Sequence, residues 1–213
     1  LRWTVSVNLT SYKNKVISLP EKFKANGITR GTQKIFEGGS IYDFYLVKYA
    51  GVDPTNGDAL YWQKNAQGVF EKVGSANYSA TNNEQNVGSA IPDLQGGFST
   101  SLEFYGFDLF TQFSYQIGGK MLDSEYSGLM HAGTMGNNWS TDIANRWTPT
   151  NTITDVPRIE YNNQNLNARS DRFLTDASYL SLKTVNFGYS LPKSVIKKAG
   201  LTNLRLYVSA DNV

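Results

Sequence analysis

The sequence predicts an all-β chain: antiparallel up-and-down strands forming part of a transmembrane β-barrel with long extracellular loops. Three observations predict it. Period-2 alternation of apolar and polar residues is frequent while helical periodicity is nearly absent. The longest alternating run, residues 107 to 117, matches the roughly 9 to 11 residues of a strand tilted through a bilayer, against about 5 to 6 in an ordinary globular strand. Long polar connections alternate with short ones along the chain, so an up-and-down sheet carries every long loop at one end and every short turn at the other.

The strands follow in order. Residues 1 to 9 place Leu1, Trp3, Val5, Val7 and Leu9 on one face and Arg2, Thr4, Ser6 and Asn8 on the other. Further strands are expected at 41–50, 59–72 (with a break at Gly68), 97–105, 107–117, 178–190 and 203–213, seven in all. In the clearest, Phe107, Leu109, Thr111, Phe113, Tyr115 and Ile117 alternate with Asp108, Phe110, Gln112, Ser114 and Gln116. The apolar set is read as facing lipid, and Asp108, Gln112, Ser114 and Gln116 as lining the lumen. Trp3, Tyr105, Phe107, Tyr115, Tyr189 and Tyr207 lie near strand ends, where amphipathic rings form girdles at the membrane interfaces.

Turn chemistry supports these boundaries. Residues 51–58 hold Asp53-Pro54 and Asn56-Gly57, which supply a fixed φ and a positive φ and close a hairpin. Tyr105-Gly106 is a tighter reversal. Residues 192–200 predict one or two helical turns, capped by Ser194, with Lys197 and Lys198 at the C-terminal end and Gly200 in the left-handed position after it. Ser140 is placed to cap another short helix running to Trp147.

Composition excludes several functions. The 213 residues hold no cysteine and one histidine, His131, which removes disulfide scaffolds, thiolate metal sites, cysteine nucleophiles and conventional Ser-His-Asp triads. Twenty basic against 18 acidic residues, with no basic run, argues against a nucleic-acid partner. Charged residues make up only 18%, below the roughly 25% of ordinary soluble domains. Nothing in sequence pairs Asp108, Asp123, Asp142, Asp155, Asp171 and Asp176 into a glycosidase acid and nucleophile, and the glycine pairs lack a phosphate loop's setting. The chain reads as no enzyme, with no cofactor and no metal. A soluble, secreted β-sandwich carbohydrate-binding module is the alternative.

Several runs carry a resemblance. Gly51-Val52-Asp53-Pro54 with Gly57-Asp58, IPDLQGGFSTSLEFYGFDLFTQFSYQIGGKMLD (91–123), NNWSTDIANRWTP (137–149), TDVPR (154–158), SDRFLTDASYLSLKTVNFGYSLP (170–192) and LRLYVSADNV (204–213) resemble, in the same order, the C-terminal third of the SusC/RagA family. Ser181 departs from the family pattern, which often has a basic residue after Tyr-Leu. These are TonB-linked transporters in the outer membrane of Bacteroidetes. The resemblance implies a barrel of about 22 strands closed by an N-terminal plug, a SusD-like surface lipoprotein as lid, energy from TonB, and uptake of glycans (oligosaccharides) or peptides. Seven strands cannot close such a barrel, so the chain is expected to be a fragment lacking the plug, the TonB box and the final strands. On this reading Tyr126, Trp139, Arg146, Trp147, Arg158 and Arg172 are candidates for contact with substrate or lid. Aromatic faces stack on sugars and guanidinium groups donate in fixed directions. The competing role for each is to pin a loop of about 60 residues against itself.

Overall fold

The computed structural model describes residues 1–213 and divides them into two compact units, each built from discontinuous segments. The first comprises residues 1–12, 91–119 and 177–213, the second residues 13–90 and 120–176.

The first unit is a five-stranded antiparallel sheet of β1 (Arg2–Thr10), β2 (Leu94–Phe104), β3 (Phe107–Ile117), β4 (Tyr179–Ser190) and β5 (Arg205–Asp211), in that spatial order. Strand neighbours are also sequence neighbours, as in an up-and-down sheet. The register carries each strand's alternation across to the next. Trp3 pairs with Leu102, Val7 with Phe98, Phe98 with Phe113, Leu109 with Phe187 and Phe187 with Val208. One face is therefore apolar across all five strands, and it stays open to solvent in this chain: Trp3 is 70% exposed and Val208 74%. Its rings pack laterally, with Phe98 and Phe113 stacked at 4.7 Å and Phe107 against Tyr189 at 4.4 Å.

Two local devices hold this register. Tyr105 (φ 47°) and Gly106 (φ 88°) form a two-residue reversal between β2 and β3, with both residues in the positive-φ region that matches strand twist. Gly96 lies flat between its neighbours: a Cβ there would come 2.1 Å from the Asn8 carbonyl oxygen, and the Tyr115 ring covers the site with its hydroxyl 3.3 Å from that oxygen. A bulge in β4 after the Gln112–Thr184 pair restores the apolar face at Leu182 and Leu180.

Of the seven expected strands, five join this sheet. Segments 41–50 and 59–72 do form strands, but in the second unit, so the expectation of seven wall strands is corrected to five. They are short: Asp43–Leu46 and Lys48–Val52 in the first segment, Ala59–Lys64 and Phe70–Gly74 in the second. None reaches the length of a bilayer crossing. Asn65 breaks the second segment, because its side-chain oxygen accepts from the Gln67 and Val69 amides and turns the chain at Gly68. The loop pattern survives this correction. Residues 11–93 and 118–178 are the long connections of the sheet, while 105–106 and 191–204 are the short ones.

The second unit has its own core. Val47, Ala59, Tyr61, Ala132, Leu166 and Ala168 form one cluster, Phe44, Leu46 and Val87 a second, and Met130, Val156 and Phe173 a third. Residues 51–58 close a hairpin between Lys48–Val52 and Ala59–Lys64, as their turn chemistry predicts, with Gly57 at φ 76°. Ser140 caps the 3-10 helix Thr141–Asn145 by accepting from the Asp142 amide. In the first unit, residues 193–199 are helical and Gly200 is left-handed. The cap position there is Pro192, not Ser194, since Ser194 lies already inside the helix.

Candidate functional site

The polar face of the five-stranded sheet is the first candidate surface. Register places Asp108, Gln112, Ser114 and Gln116 on it together, beside Arg2, Ser6, Asn8, Ser99, Glu103, Asn186 and Arg205. Arg205 reaches across β4 to Asp108, donating from Nε to Oδ1 at 3.0 Å and from Nη2 to Oδ2 at 2.5 Å, with a further contact to the Asn186 side-chain oxygen at 3.2 Å. This crossing needs Gly188, where a Cβ would sit 2.5 Å from an Arg205 nitrogen and 2.7 Å from Asp108. Gln116 donates to the Ala177 carbonyl at 3.1 Å, and Gln112 is exposed. The face thus presents fixed charges and amides. Tyr207, expected in an aromatic girdle, lies on this polar face with its ring under the Arg205 guanidinium at 5.0 Å, because β5 alternates from Leu206 and not from Tyr207.

Arg205 and Glu103 were not singled out from the sequence. Alternation in 204–211 was the available signal, since it already put Arg205 opposite Leu206 and Val208.

The second surface belongs to the loop unit, where the aromatic and arginine candidates sit. Most of them bind their own unit. Tyr126 donates to Asp142 at 2.9 Å and packs edge-on to Phe173. Trp147 donates to the Pro54 carbonyl at 3.0 Å and covers Gly57, where a Cβ would meet its ring at 2.5 Å. Arg158 bonds Glu160 at 2.5 Å and lies 3.8 Å from Asp58, whose carboxylate holds Ser75 through both its amide and hydroxyl. Arg172 lies over the rings of Tyr49 and Phe173 at 5.1 and 5.3 Å. Trp139 stacks on His131 at 5.0 Å and donates to its carbonyl at 2.9 Å, yet stays 44% exposed. The Arg146 guanidinium has no ion pair or hydrogen bond. Trp139 and Arg146 are therefore the candidates left with groups available to a ligand.

The tyrosines at the centre of this unit were not foreseen. Tyr61, 1% exposed, donates to the Asn165 carbonyl at 2.7 Å and accepts from the Ala168 amide at 3.1 Å. It joins Tyr49 and Tyr78 ring to ring at 5.7 and 4.6 Å. Burial raises the Tyr61 and Tyr49 phenols, and carries Tyr49 from 10.0 to about 12 despite the opposing Arg172 charge. A phenol whose folded value is raised stabilises the fold fully below its unfolded value near 10, and that stabilisation is lost as pH climbs through about 12. We expect the near-ultraviolet circular dichroism of the loop unit to persist to pH 10 and to collapse above it together with phenolate absorbance. Loss of that signal in step with the exposed tyrosines would contradict the burial.

His131 is buried, and its Nδ1 accepts the Gly133 and Thr134 amides at 3.2 and 2.9 Å. It acts as a turn-holding side chain.

No family model matches the chain. Curated relatives do, all in Formosa agariphila. TonB-dependent receptor P3 is 32% identical over 99% of this chain and 22% of its own length, receptor P26 25% over 99% and 22%, and receptor P39 26% over 99% and 24%. The chain thus spans under a quarter of the length of these relatives. Among solved structures, the RagAB peptide transporter superposes with TM-score 0.80 at 28% identity, covering 99% of this chain and 23% of that one. The RagAB peptide importer in its closed-closed and open-open states gives TM-scores of 0.77 and 0.78 at 27% identity. These relatives are receptors and transporters, and their likeness covers 99% of this chain. Near end-to-end agreement in sequence and fold therefore places the chain among the SusC/RagA-like TonB-dependent receptors.

Proposed function

We propose that this chain forms five wall strands and two large surface connections of an outer-membrane barrel that imports nutrients with energy passed through TonB, performing no chemistry on its cargo. The single observation that carries the reading is the two-faced sheet. An apolar face continuous over five strands suits lipid, while the opposite face, with Asp108, Gln112, Ser114 and Gln116, suits the wet route around a plug. A soluble sandwich would have to bury that apolar face. The long connections start and end at one end of the strands, the arrangement of extracellular loops over short periplasmic turns.

Within the loop unit, Trp139 and Arg146 are assigned contact with cargo or with a SusD-like lipoprotein lid. Tyr126, Trp147, Arg158 and Arg172 are assigned to hold the loops in the shape that makes this contact. Oligosaccharide is the first cargo reading, resting on the exposed ring of Trp139 and the abundance of amide side chains. Peptide is the second, favoured by the peptide-transporting RagAB neighbours.

Deleting the full receptor from its host and measuring TonB-dependent uptake of labelled oligosaccharide and peptide mixtures tests both. Loss of one class identifies the cargo, and unchanged uptake of both would sink the import reading. With the receptor restored, Trp139→Ala together with Arg146→Ala should lower cargo retention while leaving assembly intact, whereas Arg172→Ala should weaken the loop fold itself.

A further inference from the structure

The short connection between β4 and β5 carries an arrangement that its turn geometry does not require. Between Leu191 and Leu204 there are three lysines, Lys193, Lys197 and Lys198, and no acidic residue. All three are exposed and none makes an ion pair. Lys197 and Lys198 suit the C-terminal end of the helical turns, but Lys193 stands in the first turn, where a cation opposes the helix dipole. The charge of Lys193 is therefore not explained by the helix.

The hydrophobic residues of the same segment are divided. Ile196 is 3% exposed and anchors the turn, whereas Val195 and Leu201 stand 57% and 46% exposed. This connection shares its end of the sheet with the Tyr105-Gly106 reversal, to which it is tied by the Ser190 amide donating to the Gly106 carbonyl at 2.7 Å. Phe104, Phe107, Tyr189 and Leu206 end the apolar face there, and Tyr105 projects 85% exposed. Apolar face, rings and lysines thus succeed one another toward that end, which is the order of hydrocarbon, interface and headgroup across half a bilayer.

We propose that Lys193, Lys197 and Lys198 form a headgroup contact for anionic phospholipid of the leaflet at the short-turn end, with Val195 and Leu201 entering the acyl boundary. The occupant is phospholipid because the lysines lie at the end of the strands where the apolar face closes in rings, and a headgroup phosphate with its chains complements charge and apolar surface together. The proposal rests on the reading of the sheet as membrane wall.

The test uses the complete receptor extracted from outer membranes in mild detergent, with phosphatidylglycerol added as probe and adducts counted by native mass spectrometry. The K193Q/K197Q/K198Q variant is expected to retain roughly tenfold less phosphatidylglycerol, the corresponding arginine triple to retain it, and K64Q/K72Q in the loop unit to leave it unchanged. Equal retention by the glutamine triple, or adducts of lipopolysaccharide alone, would overturn the contact. A photo-reactive residue at Val195 keeps all three lysines in place. Its crosslink to phospholipid in cells supports the proposal, and a crosslink to a periplasmic protein overturns it. Fractionation of the unaltered receptor separates the two claims: its absence from the outer membrane defeats the wall reading, whereas an inserted barrel without phospholipid adducts defeats the headgroup contact alone.

Discussion

Phe113→Arg in the complete receptor is expected to lower barrel stability by about 2 to 4 kcal/mol and to reduce the amount that assembles in the outer membrane. Phe113 sits in the middle of β3, paired with Phe98 on one side and Leu182 on the other, and stacks on the Phe98 ring at 4.7 Å. On the proposed wall reading, a guanidinium there would replace apolar surface facing lipid near the middle of the strand. Gln112→Arg, one residue away on the polar face, should cost far less, because its side chain is exposed among polar neighbours. The pair is checked by heat-modifiability and by urea unfolding of receptor folded into lipid vesicles. Equal effects at the two positions would show that the sheet does not separate lipid from water.

Tyr61→Ala should cost about 3 to 5 kcal/mol in the loop unit, the range for removing a fully buried ring. The ring fills the largest cluster of that unit, between Val47, Leu166 and Ala168. Tyr61→Phe isolates the hydroxyl: it strips the Asn165 carbonyl and the Ala168 amide of their partner, a loss of about 1 to 3 kcal/mol. Hydrogen exchange on the full chain reads both effects, as faster exchange at residues 165–170 with the five-stranded sheet unchanged. Protection that stays intact in Tyr61→Ala would mean the cluster does not hold the loop unit together.

Much of the sheet was legible because alternation is a local signal. The two faces of β1 and β3 follow from the sequence alone, and residues 107–117 needed no partner to be read, whereas the bulge in β4 and the polar-face position of Tyr207 did. The hairpin at 51–58 and the left-handed Gly200 were equally legible, since φ preferences act within a few residues. Partnering was not. Segments 41–50 and 59–72 have strand-forming residues, but what draws them into short sheets is burial of Val47, Ala59 and Tyr61 against Ala132, Leu166 and Ala168, and of Phe44 and Leu46 against Val87, far along the chain.

The candidate site divides in the same way. The sequence placed Asp108, Gln112, Ser114 and Gln116 on one face, and the register agrees. It could not say that Asp108 is clasped by Arg205 over Gly188, because that contact spans an intervening strand and depends on an absent side chain. Nor could it sort the loop residues. An arginine over two rings and an arginine free of partners look the same in sequence, and only packing separates Arg172 from Arg146.

By itself, then, the sequence determined the all-β class, the two chemically opposite faces and the alternation of long and short connections. These depend on residue type and spacing, which no partner alters. The tertiary structure decided which strands share a sheet, that the two long connections supply one unit with its own core, and which aromatic and charged groups remain available. Those follow from contacts between residues up to about a hundred positions apart, such as the hydrogen bonds of Tyr61 to residues 165 and 168, and no local pattern encodes such pairs.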